Sequence, residues 1–303
     1  MSETTLRILS AIVLTFVYVF MIFHSSWYYL EFYTFGVVMI YLGLKELYAF
    51  CKTEESKPFF GTGLLFSLLI FTVYYIQFLG LQFEVTPPGF VLELSKILRE
   101  GFHPVPFLLV ALSITVWILQ ILKRPLDGAL FSVGGTMLGP IYIAIPIGHF
   151  LLLLALPFGT YYIFLVSVIT FMSDAGAYFG GRWFGKHPAG LKISPKKTWE
   201  GYVTGNLTAV IGAQILNLAW EHFSGVKLPV GILETIILSF VVSVISVMGD
   251  LAESAMKRDA KIKDSGSLIP GHGGILDLAD ALLFTVPVIY YYFVFKGFLG
   301  FPV

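Results

Sequence analysis

The stretch VGILETIILSFVVSVISVMGD, Val230–Asp250, holds one ionisable residue, Glu234, ahead of its terminal aspartate. About 20 such residues in a helix cross the ~30 Å hydrocarbon core of a bilayer, so the stretch reads as a membrane span. Eight more read the same way: roughly Leu6–Phe23, Trp27–Leu47, Gly61–Phe83, Pro104–Leu122, Gly128–Leu153, Phe158–Gly180, Gly201–Trp220 and Ala279–Leu299. The expected fold class is therefore all-α, a polytopic transmembrane helical protein of about nine spans. Gly139-Pro140 and Pro146 predict a kink or break in the fifth. Between the third and fourth, Phe90, Val91, Leu94, Ile97 and Leu98 recur at helical spacing against Glu93, Lys96, Arg99 and Glu100. That segment is too short to span, and is expected to lie as a helix in the membrane interface.

Composition points the same way. Of 303 residues, 57% are hydrophobic and 13% charged, with mean hydropathy +0.84. A soluble domain carries about a quarter charged residues, so the surplus apolar surface calls for lipid. The formal net charge is zero, which leaves no bulk field to attract nucleic acid. Cys51 is the single cysteine, which excludes an intrachain disulfide and a thiolate metal cluster. Arg7 ahead of an apolar run has the outline of a secretion signal, but His24-Ser25-Ser26-Trp27 offers no small-x-small cleavage site. A retained first span is expected. No internal period or low-complexity linker interrupts the chain. It is read as a single integral membrane domain over 1–303, with amino-terminal spans in 1–157 and catalytic spans and cytoplasmic loops in 158–303.

Nine spans put the two ends of the chain on opposite sides, and Lys and Arg decide which is which. One side holds Arg7, Lys45, Lys52, Lys57, Lys123, Arg124, Arg182, Lys186, Lys192, Lys196, Lys197, Lys257, Arg258, Lys261 and Lys263. The other holds Lys96, Arg99, Lys227 and Lys296. The richer side, with the amino terminus, is expected to be cytoplasmic.

Two segments break the apolar pattern. One runs from Ser173-Asp174 to Ser194-Pro195-Lys196-Lys197-Thr198-Trp199-Glu200-Gly201, the other from Gly249-Asp250 through Lys263-Asp264 to Pro270-Gly271-His272-Gly273-Gly274-Ile275-Leu276-Asp277-Leu278-Ala279-Asp280. On the nine-span reading, Asp174, Asp250, Asp277 and Asp280 reach one cytoplasmic level of the membrane from three helices, where an ionisable group is costly unless paired or metal-bound. If the eighth span continues as a helix, Asp250, Ser254, Lys257 and Lys261 share one face. Asp277 and Asp280, three apart, share another. Taken singly, either is better read as a helix cap that complements the dipole. Taken with Asp250 and Asp174, they suit a hard cation such as Mg²⁺, which uses one or two carboxylates and leaves room for phosphate. The glycine-rich loop before the ninth span can offer backbone N–H groups to an anion or be only a turn. His272 within it reads equally as a phosphate contact or a loop histidine, and Lys196-Lys197 and Lys257-Arg258, taken as isolated pairs, are better read as membrane-edge anchors.

The residues Ser254, Lys257, Arg258, Lys263, Asp264, Pro270, Gly271, His272, Gly273, Gly274, Asp277 and Asp280 fall at the spacing of a family signature. The segment Ser254–Asp280 closely resembles that of the phosphatidate cytidylyltransferases, the CDP-diacylglycerol synthases. Asp174, Ala177-Tyr178, Gly181, Gly185-Lys186 and Ser194–Gly201 resemble a second region of the same family. Position 278 departs, since the family has Arg there and this chain has Leu278, which lacks the permanent charge and bidentate donors.

The resemblance implies that CTP and phosphatidic acid give CDP-diacylglycerol and pyrophosphate, with Mg²⁺ or another divalent cation, and room for a second metal ion. It implies Lys257, Arg258, Lys263, Asp264 and His272 as catalytic residues. Ser194, Lys196, Lys197, Ser254, Gly271, Gly273, Gly274 and Asp174 would bind substrate, and Asp250, Asp277 and Asp280 metal. It further implies a homodimer in the cell (inner) membrane, with membrane lipid around it and the site at the cytoplasmic face. A CTP-dependent kinase of an isoprenoid alcohol, or a cytidylyltransferase for another lipid phosphate, is the nearest alternative. A transporter is more distant, because the carboxylates gather at one face and no repeat is evident.

Overall fold

A computed structural model describes residues 3–23, 26–53, 56–81, 87–100, 103–266, 268 and 273–302. Among them the chain is all-helical, without a β-strand. The helices are α1 (Glu3–Phe23), α2 (Leu30–Phe50), α3 (Phe60–Leu79), α4 (Gly89–Arg99), α5 (Pro104–Lys123), α6 (Ala129–Gly139), α7 (Ile145–Leu154), α8 (Gly159–Phe184), α9 (Trp199–Ser224), α10 (Ile232–Asp259) and α11 (Ile275–Phe298). Among the described residues, six segments are long and apolar enough to cross a membrane: α3, α5, α6 to α7 taken as one, α8, α10 and α11. The protein is an integral membrane protein. The other three stretches expected to span also form helices, α1, α2 and α9, but are not among the six. In α9 the reason is visible, since its sequence gives positions to Gly, Thr, Gln214 and Asn217 that serve contacts with neighbouring helices. Helix α10 continues well past Asp250 to Asp259, and α11 opens at Ile275, ahead of Ala279.

The chain divides into two compact units, Met1–Ala155 with Asp259–Leu278, and Leu156–Arg258 with Ala279–Val303. In the first unit, α2, α3 and α7 bury Ile40, Leu44, Leu47, Ile70, Phe71, Phe78, Leu151 and Leu153. The expected break falls at Pro140, where a π-helical turn, Pro140–Ala144, joins α6 to α7. Pro140 has no N–H to offer the carbonyl four residues back, and the Tyr48 hydroxyl donates to that carbonyl, Thr136 O, at 2.7 Å. Helix α4 forms where the 90–100 periodicity predicts it. Its Phe90, Leu94 and Ile97 are exposed while Ser95 is buried, and Gln77 of α3 donates to Leu98 O at 3.1 Å.

In the second unit, α8 and α9 pack at backbone distance. Each carries glycines four apart, Gly176 and Gly180 on α8 and Gly201 and Gly205 on α9, the small-xxx-small pattern that lets membrane helices approach closely. A Cβ at Gly176 would come within 1.8 Å of Thr208 Oγ1, and one at Gly180 within 1.8 Å of Thr204 Oγ1. The same hydroxyls reach across the seam: Thr204 Oγ1 lies 3.0 Å from Gly176 O, and Thr208 Oγ1 lies 2.8 Å from Met172 O. Helix α8 is tied to α10 by Ser173 and Ser243 (2.9 Å) and to α11 by Thr170 and Thr285 (3.2 Å). Gly249 brings α10 against α11, where an added Cβ would meet Asp280 O at 2.7 Å. These ties hold Asp174, Asp250 and Asp280, each within a residue of a tie.

Two glycine-to-alanine changes should therefore have opposite signs. Gly134 in α6 has no neighbour within 4 Å of a Cβ, so Gly134→Ala should leave thermal stability in detergent unchanged or raise it by up to ~1 kcal/mol from helix propensity. Gly180→Ala meets the Thr204 side chain and should cost ~1–3 kcal/mol. Equal thermal midpoints for the two variants would refute the seam.

Candidate active site

The residues between α8 and α9 form a compact loop. Ala189 N donates to Lys197 O (2.8 Å) and Trp199 N to His187 O (3.0 Å), closing its two ends together. At its tip, Ser194 N donates to Leu191 O (3.1 Å) and Lys197 N to Ser194 O (3.2 Å), so Ser194-Pro195-Lys196-Lys197 is a tight turn. Thr198 caps α9, accepting from Gly201 N at 3.2 Å. Arg258 of α10 donates through Nε to Ile193 O at 3.4 Å, against the same loop. Lys196 is exposed, whereas Lys197 turns in and pairs with Asp250.

Asp250 also accepts from the Ser254 hydroxyl, one turn on, at 3.4 Å. The same turn of α10 holds Glu253, fully buried, with Nζ of Lys257, a turn further on, at 2.5 Å from its Oε2. Asp280 of α11 lies within electrostatic reach of Asp250, Glu253 and Asp174, and Asp174 within reach of Asp250 and Lys197. Four carboxylates on α8, α10 and α11 thus meet two lysines. Carboxylates gathered within a membrane call for cations beside them, and here Lys197 and Lys257 stand there. Among the described residues no three His, Cys, Asp or Glu side chains form a ready-made metal cage. The donor set still suits a hard divalent ion that takes one or two carboxylates and completes its shell with phosphate and water.

Several sequence expectations need adjusting here. Lys261 does not continue the Asp250–Ser254–Lys257 face, because α10 ends at Asp259 and Lys261 has left-handed backbone (φ 57°). Glu253 was not singled out from the sequence, although its place four residues before Lys257 is a recognisable helical ion-pair spacing.

In the other unit, Lys263 and Asp264 are exposed. Gly271 and His272 lie outside the described residues. At the start of α11 the backbone donors are already taken. Gly274 N and Ser265 N each donate to Asp277 Oδ2 at 2.8 Å. Ile275 N donates to Glu46 Oε1 at 3.0 Å and Leu276 N to Glu46 Oε2 at 2.9 Å. The Ser265 hydroxyl lies 2.8 Å from Asp277 Oδ2 and 2.9 Å from Glu46 Oε2, and donates to one of them. Asp277, at the third helical position, reaches back to Gly274 N–H as the acidic member of a capping box does. Gly273 and Gly274 are small for a visible reason: a Cβ at Gly273 (φ 92°) would stand 2.4 Å from Asp277 Oδ2, and one at Gly274 2.1 Å from Ser265 Oγ. Two carboxylates therefore occupy the end of α11 that the sequence offered to a phosphate. Glu46 was missed because its partners lie more than two hundred residues away; the only signal was an ionisable pair, Lys45-Glu46, inside an apolar stretch.

A family model described as the cytidylyltransferase family matches residues 5–296. The chain belongs to the cytidylyltransferase family. Curated relatives include proteins named phosphatidate cytidylyltransferase from three bacteria. The Bacillus subtilis (strain 168) protein is 38% identical over 161 residues, covering 53% of this chain and 58% of the relative. The Haemophilus influenzae protein is 45% identical over 140 residues, 45% of this chain and 47% of the relative. The Synechocystis protein is 42% identical over 138 residues, 43% of each. The chain spans about half the length of the curated relatives it matches.

In this chain, Glu46→Gln should uncover the α11 terminus. The amide keeps one acceptor and turns an N–H₂ toward backbone donors, at a cost of ~1–3 kcal/mol. Hydrogen exchange at the Ile275 and Leu276 amides should quicken, with exchange in α8 and α9 unchanged. Unaltered exchange at both amides would mean that Asp277 alone holds the cap.

Proposed function

We propose that the protein is a phosphatidate cytidylyltransferase, joining CTP to phosphatidic acid to give CDP-diacylglycerol and pyrophosphate. The observation that carries this is the meeting of Asp174, Asp250, Glu253 and Asp280 with Lys197 and Lys257, in a chain of the cytidylyltransferase family whose relatives bear that name. The reaction makes one bond and breaks one. A phosphate oxygen of phosphatidic acid attacks the α-phosphorus of CTP, and the bond from that phosphorus to the bridging oxygen of the β-phosphate breaks to release pyrophosphate. Both reactants are anions, so the protein's part is alignment and charge neutralisation rather than deprotonation.

Lys197, released from Asp250 when phosphate arrives, and the exposed Lys196 and Arg258 supply cationic donors around one loop. Asp250 and Asp280, with Asp174 beside them, would hold Mg²⁺ or another divalent ion, which supplies charge neutralisation to phosphate oxygens when bound. Asp277, by contrast, spends Oδ2 on the α11 cap. A nine-span topology with the amino terminus inside is supported by a helix, among the described residues, at each stretch expected to span, and by the segregation of Lys and Arg. A site at the cytoplasmic face of the inner membrane follows from that topology, and suits a water-borne nucleotide and a lipid from the same leaflet. The homodimer rests on the resemblance.

The test is product identification with purified protein, CTP, Mg²⁺ and phosphatidic acid. CDP-diacylglycerol and pyrophosphate are expected. CDP with a phosphorylated lipid, formed from an isoprenoid alcohol, would favour the kinase instead. Asp250→Asn should keep the shape, strand the Lys197 charge and lower turnover at least ~100-fold, about 2.7 kcal/mol of activation free energy. Turnover near the parental value at limiting Mg²⁺ would remove Asp250 from the metal centre. For topology, cysteines at Lys227 and Lys261 should label from opposite faces of sealed vesicles, and labelling from one face would overturn the orientation.

A further inference from the structure

A groove of about 510 Å³ runs between α9 and α10, walled by Trp199, Val203, Val210, Phe240 and Val244. Trp199, Val203 and Phe240 are 60%, 58% and 55% exposed, so the groove is open along its side to surrounding lipid. Its wall along α9, from Trp199 to Val210, covers about 16 Å at 1.5 Å rise per residue. It grades in chemistry along that length. One end is floored by Ala189 and Leu191, within the loop that carries Lys192, Lys196 and Lys197, and the Lys197 ammonium stands 5.9 Å from the Tyr202 ring. Next come two polar side chains in the wall, Tyr202 and Asn206. The Tyr202 hydroxyl and the Asn206 amide oxygen are buried and have no hydrogen-bond partner among the described residues. Beyond them the wall is hydrocarbon.

We propose, resting on the lipid-phosphate reading above, that this groove seats one acyl chain of a diacyl glycerophosphate. The phosphate then lies at the Lys196–Lys197 turn, an ester at the Tyr202 hydroxyl, and the chain against Val203, Val210, Phe240 and Val244. The order charged, polar, apolar matches the order phosphate, ester, acyl in such a lipid. Buried polar atoms left without partners are costly, and the Tyr202 O–H can donate to an ester carbonyl. Acyl chains gain little by leaving a bilayer for an apolar wall, since lipid tails are as apolar as leucine. The groove therefore contributes register: it sets how far the phosphate reaches toward Lys197 and Asp250, while selectivity comes from the basic loop and the Tyr202 hydroxyl. Binding by remote parts of a substrate is what holds the reacting group in place.

The test uses the full chain in phosphatidylcholine nanodiscs, with Trp27, Trp117, Trp183 and Trp220 changed to Phe so that Trp199 is the sole tryptophan. Phosphatidic acid with dibrominated acyl chains, at a few mole per cent, should quench Trp199 saturably. The same fraction of dibrominated phosphatidylcholine should quench it only weakly and in proportion to its amount. Unlabelled phosphatidic acid should relieve the quenching and a polyprenyl phosphate should not. Equal quenching by both brominated lipids would mean that the groove takes any neighbouring lipid, and relief by polyprenyl phosphate would remove the ester contact; either overturns the proposal.

In a second arm, Val244→Trp should fill the groove and raise KM for dioleoyl phosphatidic acid about tenfold, leaving KM for CTP unchanged. An unchanged lipid KM in a folded variant also overturns the proposal. The quenching arm needs no CTP, so the two readings fail separately. Selective quenching without CDP-lipid formation would sink the cytidylyl-transfer reading and leave the groove. CDP-diacylglycerol formation with unselective quenching would sink only the groove.

Discussion

Hydrocarbon offers no water to a backbone carbonyl or N–H, and this constraint governs how the chain is put together. Regular helices meet it by themselves, so the informative places are those where helices break, end or touch. At Pro140 the helix loses a donor, and Tyr48 supplies one to Thr136 O from another helix. At the start of α11 the unpaired N–H groups are met by Glu46 and Asp277. Along the α8–α9 seam, glycines bring the backbones close enough for Thr204 and Thr208 to reach carbonyls of the facing helix. Each solution uses a polar side chain from a distant part of the sequence, and each fixes the register of one element against another.

The same scarcity of water raises the stakes for charge. Carboxylates gathered at the junction of α8, α10 and α11 are tolerable because lysines accompany them, Lys197 from the loop and Lys257 from α10. An arrangement with more carboxylates than lysines is poorly suited to a purely structural ion-pair network, which would be closer to neutral. On the proposed reading it exchanges partners, with metal and phosphate taking the place of the present pairs. The serine and threonine ties beside Asp174, together with Gly249 beside Asp250, give that exchange a rigid frame, and charge-transfer chemistry depends on such preorganisation.

Legibility in the sequence followed locality. Helix positions, the break at Pro140 and the α4 helix could be read because each depends on residues within a few turns. Asp174, Asp250 and Asp280 were legible as ionisable residues in apolar surroundings, which are conspicuous wherever they occur. Lys261 was misplaced because helix length past the membrane edge depends on capping that periodicity does not report. The glycine-rich loop reads as an anion cradle or only a turn, since glycine and a following helix are the local ingredients of either. Whether its N–H groups stay available depends on Glu46, which no local pattern connects to them.

The sequence by itself determined that this chain lives in a membrane, where its helices run, and to which family its second half bears resemblance, because hydropathy and motif spacing are properties of the chain alone. Only the tertiary structure decided which carboxylates stand together, which lysine answers Asp250, and that Glu46 is spent on a helix terminus. Those are pairings between groups far apart in sequence, and packing distance, not spacing along the chain, sets their energies.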